Sequence, residues 1–294
     1  MKTIKLGTIL ENAARLAGRQ VQQVGVPDNW RALAALSIGE GIRRIASEKF
    51  PMMQRVEFRR YRPTWTSNDG WTRGQECWYG QDYWRLEAEE SAGAPGTDPA
   101  WRLLQMDEVC AFISWDQPWE LTEIDKAAVD VNRFAYESDP KQNPTATPLK
   151  IVGLNELGVI LQSPAPKGVY VKFVPKYPNV SFVEWSGMNA YEAGDVAYLT
   201  ATNDCYQCLS DIPAPATGAD PNPSPQNDVA RWQRIRISDT FESYLTRLVA
   251  VDFLTEDQGK YQTRAAADKE FEELCARYHE GNGECRVRTG RFMR

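Results

Sequence analysis

Cys205 and Cys208 stand in CxxC spacing, the arrangement of zinc knuckles and of redox dithiols. A tetrahedral structural zinc needs about four ligands. No second close pair accompanies this one, because Cys77, Cys110, Cys275 and Cys285 are scattered and the sole histidine, His279, falls in a remote helical segment. Reduced cysteines packed in or beside β structure are expected. Nucleophile–histidine–carboxylate chemistry would also have to use His279, which lies beside Glu280 in a charged helical pattern and reads as a surface residue. Carboxylates cluster at Glu87, Glu89 and Glu90 and at Glu270, Glu272 and Glu273. A glycosidase needs two carboxylates held across a cleft at a controlled separation, which adjacency in sequence does not supply. The first cluster reads as a wet β edge, the second as the outer face of a helix. The chain carries no GxxxxGK[ST], strand-associated GxGxxG, HExxH or GxSxG sequence. It is read as a non-enzyme, with no catalytic residue, metal or cofactor assigned.

Aromatic residues offer a different chemistry, since indole and phenol faces stack on sugars while nearby polar groups bind hydroxyls. Trp71, Gly74, Trp78, Tyr83 and Trp84 precede a loop with Gly93, Pro95, Gly96 and Pro99, and Trp101 follows. The wording returns more loosely as Tyr191, Gly194, Tyr198 and Tyr206, a longer Pro/Gly loop, and Trp232. Two small β modules are expected, closed by Trp101 and Trp232. Trp71, Trp78, Tyr83, Trp84, Tyr191 and Tyr198 form a possible glycan platform. Alternate strand residues point to opposite faces, so Trp78 and the adjacent Tyr79 cannot both serve it. Modules this small bury little surface, so part of the aromatic set must be core.

Helices at the two ends position these modules. Thr8 and Glu11 have capping-box spacing, with Ile9, Leu16 and Ala17 as an apolar stripe over about residues 8 to 24. Asp28 can cap a second helix carrying Trp30, Leu33, Leu36, Ile42 and Ile45, ended by Pro51. Strand patterns follow at 56–61, 150–154, 158–161 and 169–174, and a few helical residues near 123–131. After Ile237 the period returns to helical: Asp239 and Glu242 have capping-box spacing, and Phe241, Tyr244, Leu245, Leu248 and Val249 share a face. A last helix from about Glu256 carries Tyr261, Ala265, Phe271, Leu274 and Tyr278 and stops near Gly281.

The fold class expected is α+β, a helical bundle formed by both termini with long β-rich insertions containing two small aromatic-rich modules. Its parts are a helical domain over 1–50 and 238–281, a first β module with flanking strands over 51–108, a connecting region over 109–180, a second β module over 181–237, and an Arg-rich tail over 282–294. Trp30, Phe241, Tyr244, Leu248 and Tyr278 are candidate assembly or core residues. Arg286, Arg288, Arg291 and Arg294 make the tail a candidate docking arm. A second basic cluster, Arg55, Arg59, Arg60 and Arg62, reads as a solvated strand edge or an anion contact. The 294 residues carry a formal charge of −6, with 42% hydrophobic and 25% charged residues, which fits a folded chain and disfavours wrapping nucleic acid. No apolar run is long enough for a membrane helix, and no signal-peptide core follows the first residues.

Two resemblances follow from these residues. Tyr191, Gly194, Ala197 and Tyr198, and more loosely Trp71, Gly74, Cys77 and Trp78, are similar to the Tyr-x-x-Gly-x-x-Val/Ala-x-Tyr phrase of small chitin-binding modules. The Leu6 to Ala17 segment, the helix pair after it, and the Phe241-x-x-Tyr-Leu helix with its Ala/Glu-rich successor through Tyr278 resemble neck proteins of tailed bacteriophages, the head-to-tail adaptors or tail tubular proteins. That resemblance implies a virion structural protein at the head–tail junction, assembled in the host cytoplasm as a homo-oligomeric ring. Its implied partners are the portal protein, a tail completion or tail tube protein and a capsid contact, with DNA passing through without sequence-specific binding. A carbohydrate-binding or tail-fibre-associated virion protein is the alternative, and a non-phage scaffolding protein a third.

Overall fold

The structure is a computed structural model that describes residues 2–18, 26–91, 93–117 and 122–279. It is α+β, with amino- and carboxyl-terminal helices in contact and several β-sheets inserted between them. The chain forms two compact units, one of Met1–Met53 with Tyr177–Arg294 and the other of Gln54–Lys176. The Arg-rich docking arm, Cys285 and the stop at Gly281 lie outside the described residues.

In the first unit, β1 (Thr3–Ile4) leads into α1 (Leu6–Leu16), and α2 spans Asp28–Ser47. The helix α1 therefore starts earlier than the Thr8–Glu11 spacing suggests. Its N-cap is Lys5, which supplies no side-chain bond, and Thr8 lies inside the helix. The acceptor comes from far along the chain: the Leu6 N–H donates to Asp204 Oδ1 at 3.3 Å. Pro27, not Asp28, is the N-cap of α2, and Asp28 sits in its first turn, where a carboxylate meets the positive end of the helix dipole. The end of α2 comes at Ser47, ahead of Pro51, with Lys49 at φ 54° turning the chain into a 3-10 turn at Pro51–Met53.

Nor does the buried stripe of α2 follow its leucines. The helix turns Ala34, Ser37, Ile38, Gly41, Ile42, Ile45 and Ala46 inward, while Leu33 and Leu36 face solvent. Gly41 explains the choice, because a Cβ there would meet Leu245 Cδ2 at 2.5 Å and Leu248 Cδ2 at 2.9 Å. The partner helix approaches so closely at this point that position 41 has no room for a side chain, while Ile38, Ile42 and Ile45 fill the buried face on either side.

That partner is α3 (Glu242–Phe253), which touches α1, α2 and α4 (Asp257–His279) and so forms the centre of the bundle. Asp239 and Glu242 do not make the expected capping box. Ser238 caps the 3-10 turn Asp239–Phe241 instead, its hydroxyl accepting from Thr240 N, and α3 continues from that turn. Of the expected stripe on α4, Phe271 and Leu274 are buried but Tyr261 and Ala265 are exposed.

The second unit holds β2 (Arg55–Arg59), β3 (Glu76–Tyr79), β4 (Asp82–Leu86), β5 (Trp101–Leu103), β6 (Phe112–Ser114), β7 (Ala135–Tyr136), β8 (Ile151–Leu154), β9 (Gly158–Leu161) and β10 (Val169–Phe173). They pair as three antiparallel sheets, β2-β10-β7, β3-β4-β5 and β6-β9-β8. The helical residues near 123–131 reduce to a 3-10 turn at Lys126–Ala128. Alternating residues of β9 and β10 send Val159, Leu161, Val169, Val171 and Phe173 into one core with Ile113 and Phe134. The remaining strands, β11 (Val196–Leu199), β12 (Asp204–Cys208), β13 (Trp232–Arg234) and β14 (Ile237–Ser238), belong to the first unit, where β14 pairs with β1.

Candidate functional site

The two modules are one backbone pattern used twice. In each, three strands lie in chain order, β3-β4-β5 and β11-β12-β13. Trp65 N donates to Trp78 O at 2.9 Å and Trp78 N to Pro63 O at 2.8 Å; Trp185 N donates to Tyr198 O and Tyr198 N to Val183 O, both at 2.8 Å. Gly74 (φ 86°) and Gly194 (φ 100°) turn the chain in the left-handed region, and their N–H groups reach Leu86 O and Cys208 O, each at 2.8 Å. Trp101 meets Trp71 edge-on with centroids 5.7 Å apart, and Trp232 meets Tyr191 edge-on at 5.0 Å. The aromatic–glycine–aromatic wording therefore encodes a turn and a core.

That core consumes the proposed glycan platform. Trp71, Trp78, Tyr83 and Tyr198 are each at most 7% exposed, while Trp84 and Tyr191 are only partly exposed and pack against the module cores. Trp78 and Tyr83 turn away from their own small cluster and enter the larger core of the second unit. The six side chains form no open shared face. A module of this size needs its largest side chains inside, which decides their direction.

The CxxC pair is likewise structural. Cys205 and Cys208 are three residues apart on one strand, which directs them to opposite faces. Their Sγ atoms contact Ser181 O at 3.2 Å and Ser210 O at 3.0 Å, and burial pushes both thiols up. No group of three or more metal-ligating residues occurs among the described residues. Comparisons with known proteins find no family model, no curated protein and no solved structure that matches this chain.

Three members of the basic cluster are drawn inward, while Arg55 keeps a side chain 43% exposed beside Glu57. Arg59 is fully buried, with its guanidinium 4.7 Å from the Phe173 ring centroid and donating to the Thr122 carbonyl. Arg60 lies 5.1 Å from the Trp78 ring centroid, and Arg62 Nε donates to Glu76 Oε2 at 2.5 Å. Arg85 holds the other oxygen of Glu76, with Nε to Oε1 at 3.0 Å. Burial raises the Glu76 carboxyl, but the two guanidiniums outweigh it and hold the group below the usual range. A depressed carboxyl stabilises the fold above its unfolded value of about 4.3, and that contribution disappears as pH falls through the folded value. Glu76→Gln is accordingly expected to flatten the acid limb of urea-unfolding stability below about pH 4. An unchanged acid limb would show that Glu76 contributes nothing there.

Of the assembly or core candidates, three are core residues and two, Trp30 and Tyr278, are half-buried with ring contacts. Phe241, Tyr244 and Leu248 are at most 3% exposed, Trp30 stacks on Phe253 at 4.3 Å, and Tyr278 meets Phe50 edge-on at 5.9 Å. Arg44 lies 4.3 Å over the Phe271 ring and bonds Asp268 at 2.6 Å. Burial pulls the Arg44 guanidinium down, yet Asp268 and Tyr244 outweigh it and raise the net value.

The surface of the bundle carries what its core omits. Leu36 is 71% exposed, Leu33 39% and Leu16 57%. Leu33 and Leu36 are one turn apart and so share a face of α2. Beside Leu16, Asn12, Arg15, Ser243, Thr246 and Arg247 line an open groove of about 440 Å³ between α1 and α3.

One set of residues escaped the sequence reading. Asp204, 1% exposed, accepts from Leu6 N and Cys205 N and pairs with Arg234. Beside it Asn203, at φ 58°, accepts Gly7 N at 3.2 Å and donates through Nδ2 to Glu11 Oε1 at 3.0 Å. A Cβ on Gly7 would fall 1.8 Å from Asn203 Oδ1. These contacts fasten the second module to α1. The only trace in the sequence is a carboxylate inside a strand otherwise rich in Cys and Tyr.

Proposed function

We propose that the chain is a structural virion neck protein whose copies form a closed ring joining portal to tail and letting DNA pass. The observation that carries the reading is the outer face of α2. Its inner face packs on α3, yet Leu36, 71% exposed, and the partly covered Leu33, 39% exposed, lie on the outer side of a well-packed helix. Covering a leucine contributes roughly 1.5–3 kcal/mol, and a head-to-tail contact repeats that gain around the ring. Adjacent copies meet through this face, the Arg286–Arg294 tail docks on a neighbouring neck component, and the net acidic chain does not hold the DNA that passes.

The alternative, a carbohydrate-binding or tail-fibre-associated protein, rests on aromatic side chains that the fold uses as core, so the neck reading is preferred. Leu33→Glu combined with Leu36→Glu is expected to abolish the closed ring while leaving the helical circular dichroism intact. Sedimentation velocity checks this. A wild-type chain that sediments as a monomer, or a ring indifferent to both charges, contradicts the proposal.

A further inference from the structure

A head-to-tail ring needs two different surfaces on each copy, one to offer and one to receive. The offered surface is the leucine ridge of α2, and a receiving surface lies on the far side of α3. On α3, Leu245 and Leu248 press on Gly41, and Asp252 accepts from Ser37, so this side of the helix faces α2. Ser243 and Arg247, which wall the groove beside α1, stand two residues either side of Leu245 and so lie about 160° around α3 from it. Leu36 is five residues from Gly41, about 140° around α2, which turns it away from α3. Ridge and groove therefore occupy opposite sides of the bundle.

The groove calls for an apolar occupant. Its polar rim is already engaged: Asn12 Nδ2 donates to Glu242 at 3.2 Å, Ser243 Oγ donates to Glu270 at 2.9 Å, and Arg15 and Arg247 pair with Glu11 and Glu270 at 3.6 and 3.3 Å. What stays uncovered is Leu16, 57% exposed beside a space of about 440 Å³. We propose, resting on the ring reading, that Leu36 and Leu33 of one copy seat in this groove of the next and cover Leu16. Charge supports the seat. Glu40 follows Leu36 by one helical turn, its side chain 64% exposed, and reaches Arg264 only at 4.0 Å. A surface pair that long is weak, so the carboxylate turns readily to Arg15 or Arg247, whose side chains are 52% and 43% exposed. A like-with-like contact of two α2 ridges would end at a pair of copies and leave Leu16 open.

The test mixes two disabled chains. Leu33→Lys with Leu36→Lys removes the ridge and turns two ammoniums toward Arg15 and Arg247. Leu16→Lys puts a charge in the groove, and a lysine in the last turn of α1 suits the helix dipole, so helical circular dichroism stays intact. Neither chain alone is expected to close a ring. Their equimolar mixture is expected to give, by sedimentation equilibrium, a pair of twice 33.3 kDa, or 66.6 kDa. One sound ridge there meets one sound groove, and growth stops because the remaining ridge and groove both carry lysine. Leu16→Met, which keeps the apolar cover, is expected to assemble as the wild type does. A Leu16→Lys chain that still closes a ring overturns the seat and leaves the ring reading standing. A mixture in which no pair forms overturns the seat as well. A wild-type chain that stays monomeric defeats the ring reading itself, and this inference with it.

Discussion

Asp204→Ala is expected to cost about 3–5 kcal/mol, the usual effect of removing one member of a buried ion pair. The side chain is 1% exposed and pairs with Arg234, so its loss strands a guanidinium that is itself only 29% exposed. It also leaves the Leu6 and Cys205 N–H groups without their acceptor, the first of them at the start of α1. Burial raises the Asp204 carboxyl although Arg234, Leu6 and Cys205 all pull it down. The charge is therefore costly where it sits, and what the site needs is the acceptor geometry. Asp204→Asn, which keeps an acceptor oxygen, should lose less than Asp204→Ala. Urea unfolding followed by helical circular dichroism distinguishes the cases. A midpoint shift equivalent to under about 1 kcal/mol for Asp204→Ala would show that this docking contact is not a structural anchor.

Trp232→Ala and Trp101→Ala are each expected to lose about 3–5 kcal/mol of local stability, with different readouts. Both side chains close a small cluster and are 3% and 5% exposed. Trp232 packs with Tyr191, Ala197, Tyr206 and Ile212, in the unit that also holds the helices. Its removal should lower the midpoint for loss of helical signal. Trp101 packs with Trp71, Cys77 and Leu86, and its indole donates to Gly93 O at 2.9 Å. Its removal should act on the β-rich unit and leave the helical midpoint nearly in place. Equal shifts of the helical signal in both variants would refute the assignment of the two modules to different units.

The contrast between what the sequence revealed and what it concealed has a physical pattern. The repeated wording was legible because a left-handed turn at Gly74 and Gly194 imposes a residue type, and an aromatic core imposes large side chains at fixed distances from that turn. Whether those side chains faced water was not legible. The six platform residues were chosen for their chemistry, whereas the small size of the modules required most of them as core. Periodicity located the helices but assigned Leu16, Leu33 and Leu36 to the inside. Close approach of α3 excludes a side chain at Gly41, and the buried face is completed by Ala34, Ser37, Ile38, Ile42, Ile45 and Ala46 rather than by the leucines. Capping failed for a related reason: local spacing proposed Thr8 and Asp239, while the first helix takes its acceptor from Asp204, 198 positions away. Arg59 shows the same limit. A basic run looks solvated in one dimension, and only the fold reveals a guanidinium buried over Phe173.

The central claim is that copies of this chain close into a ring between portal and tail. The most direct test is cryo-electron microscopy of native assemblies recovered with an affinity tag on this chain. The neck reading predicts a closed ring at the head–tail junction, with Leu33 and Leu36 of each copy covered by the next. Isolated copies on a fibre, or a particle in which both leucines stay open to solvent, would contradict it.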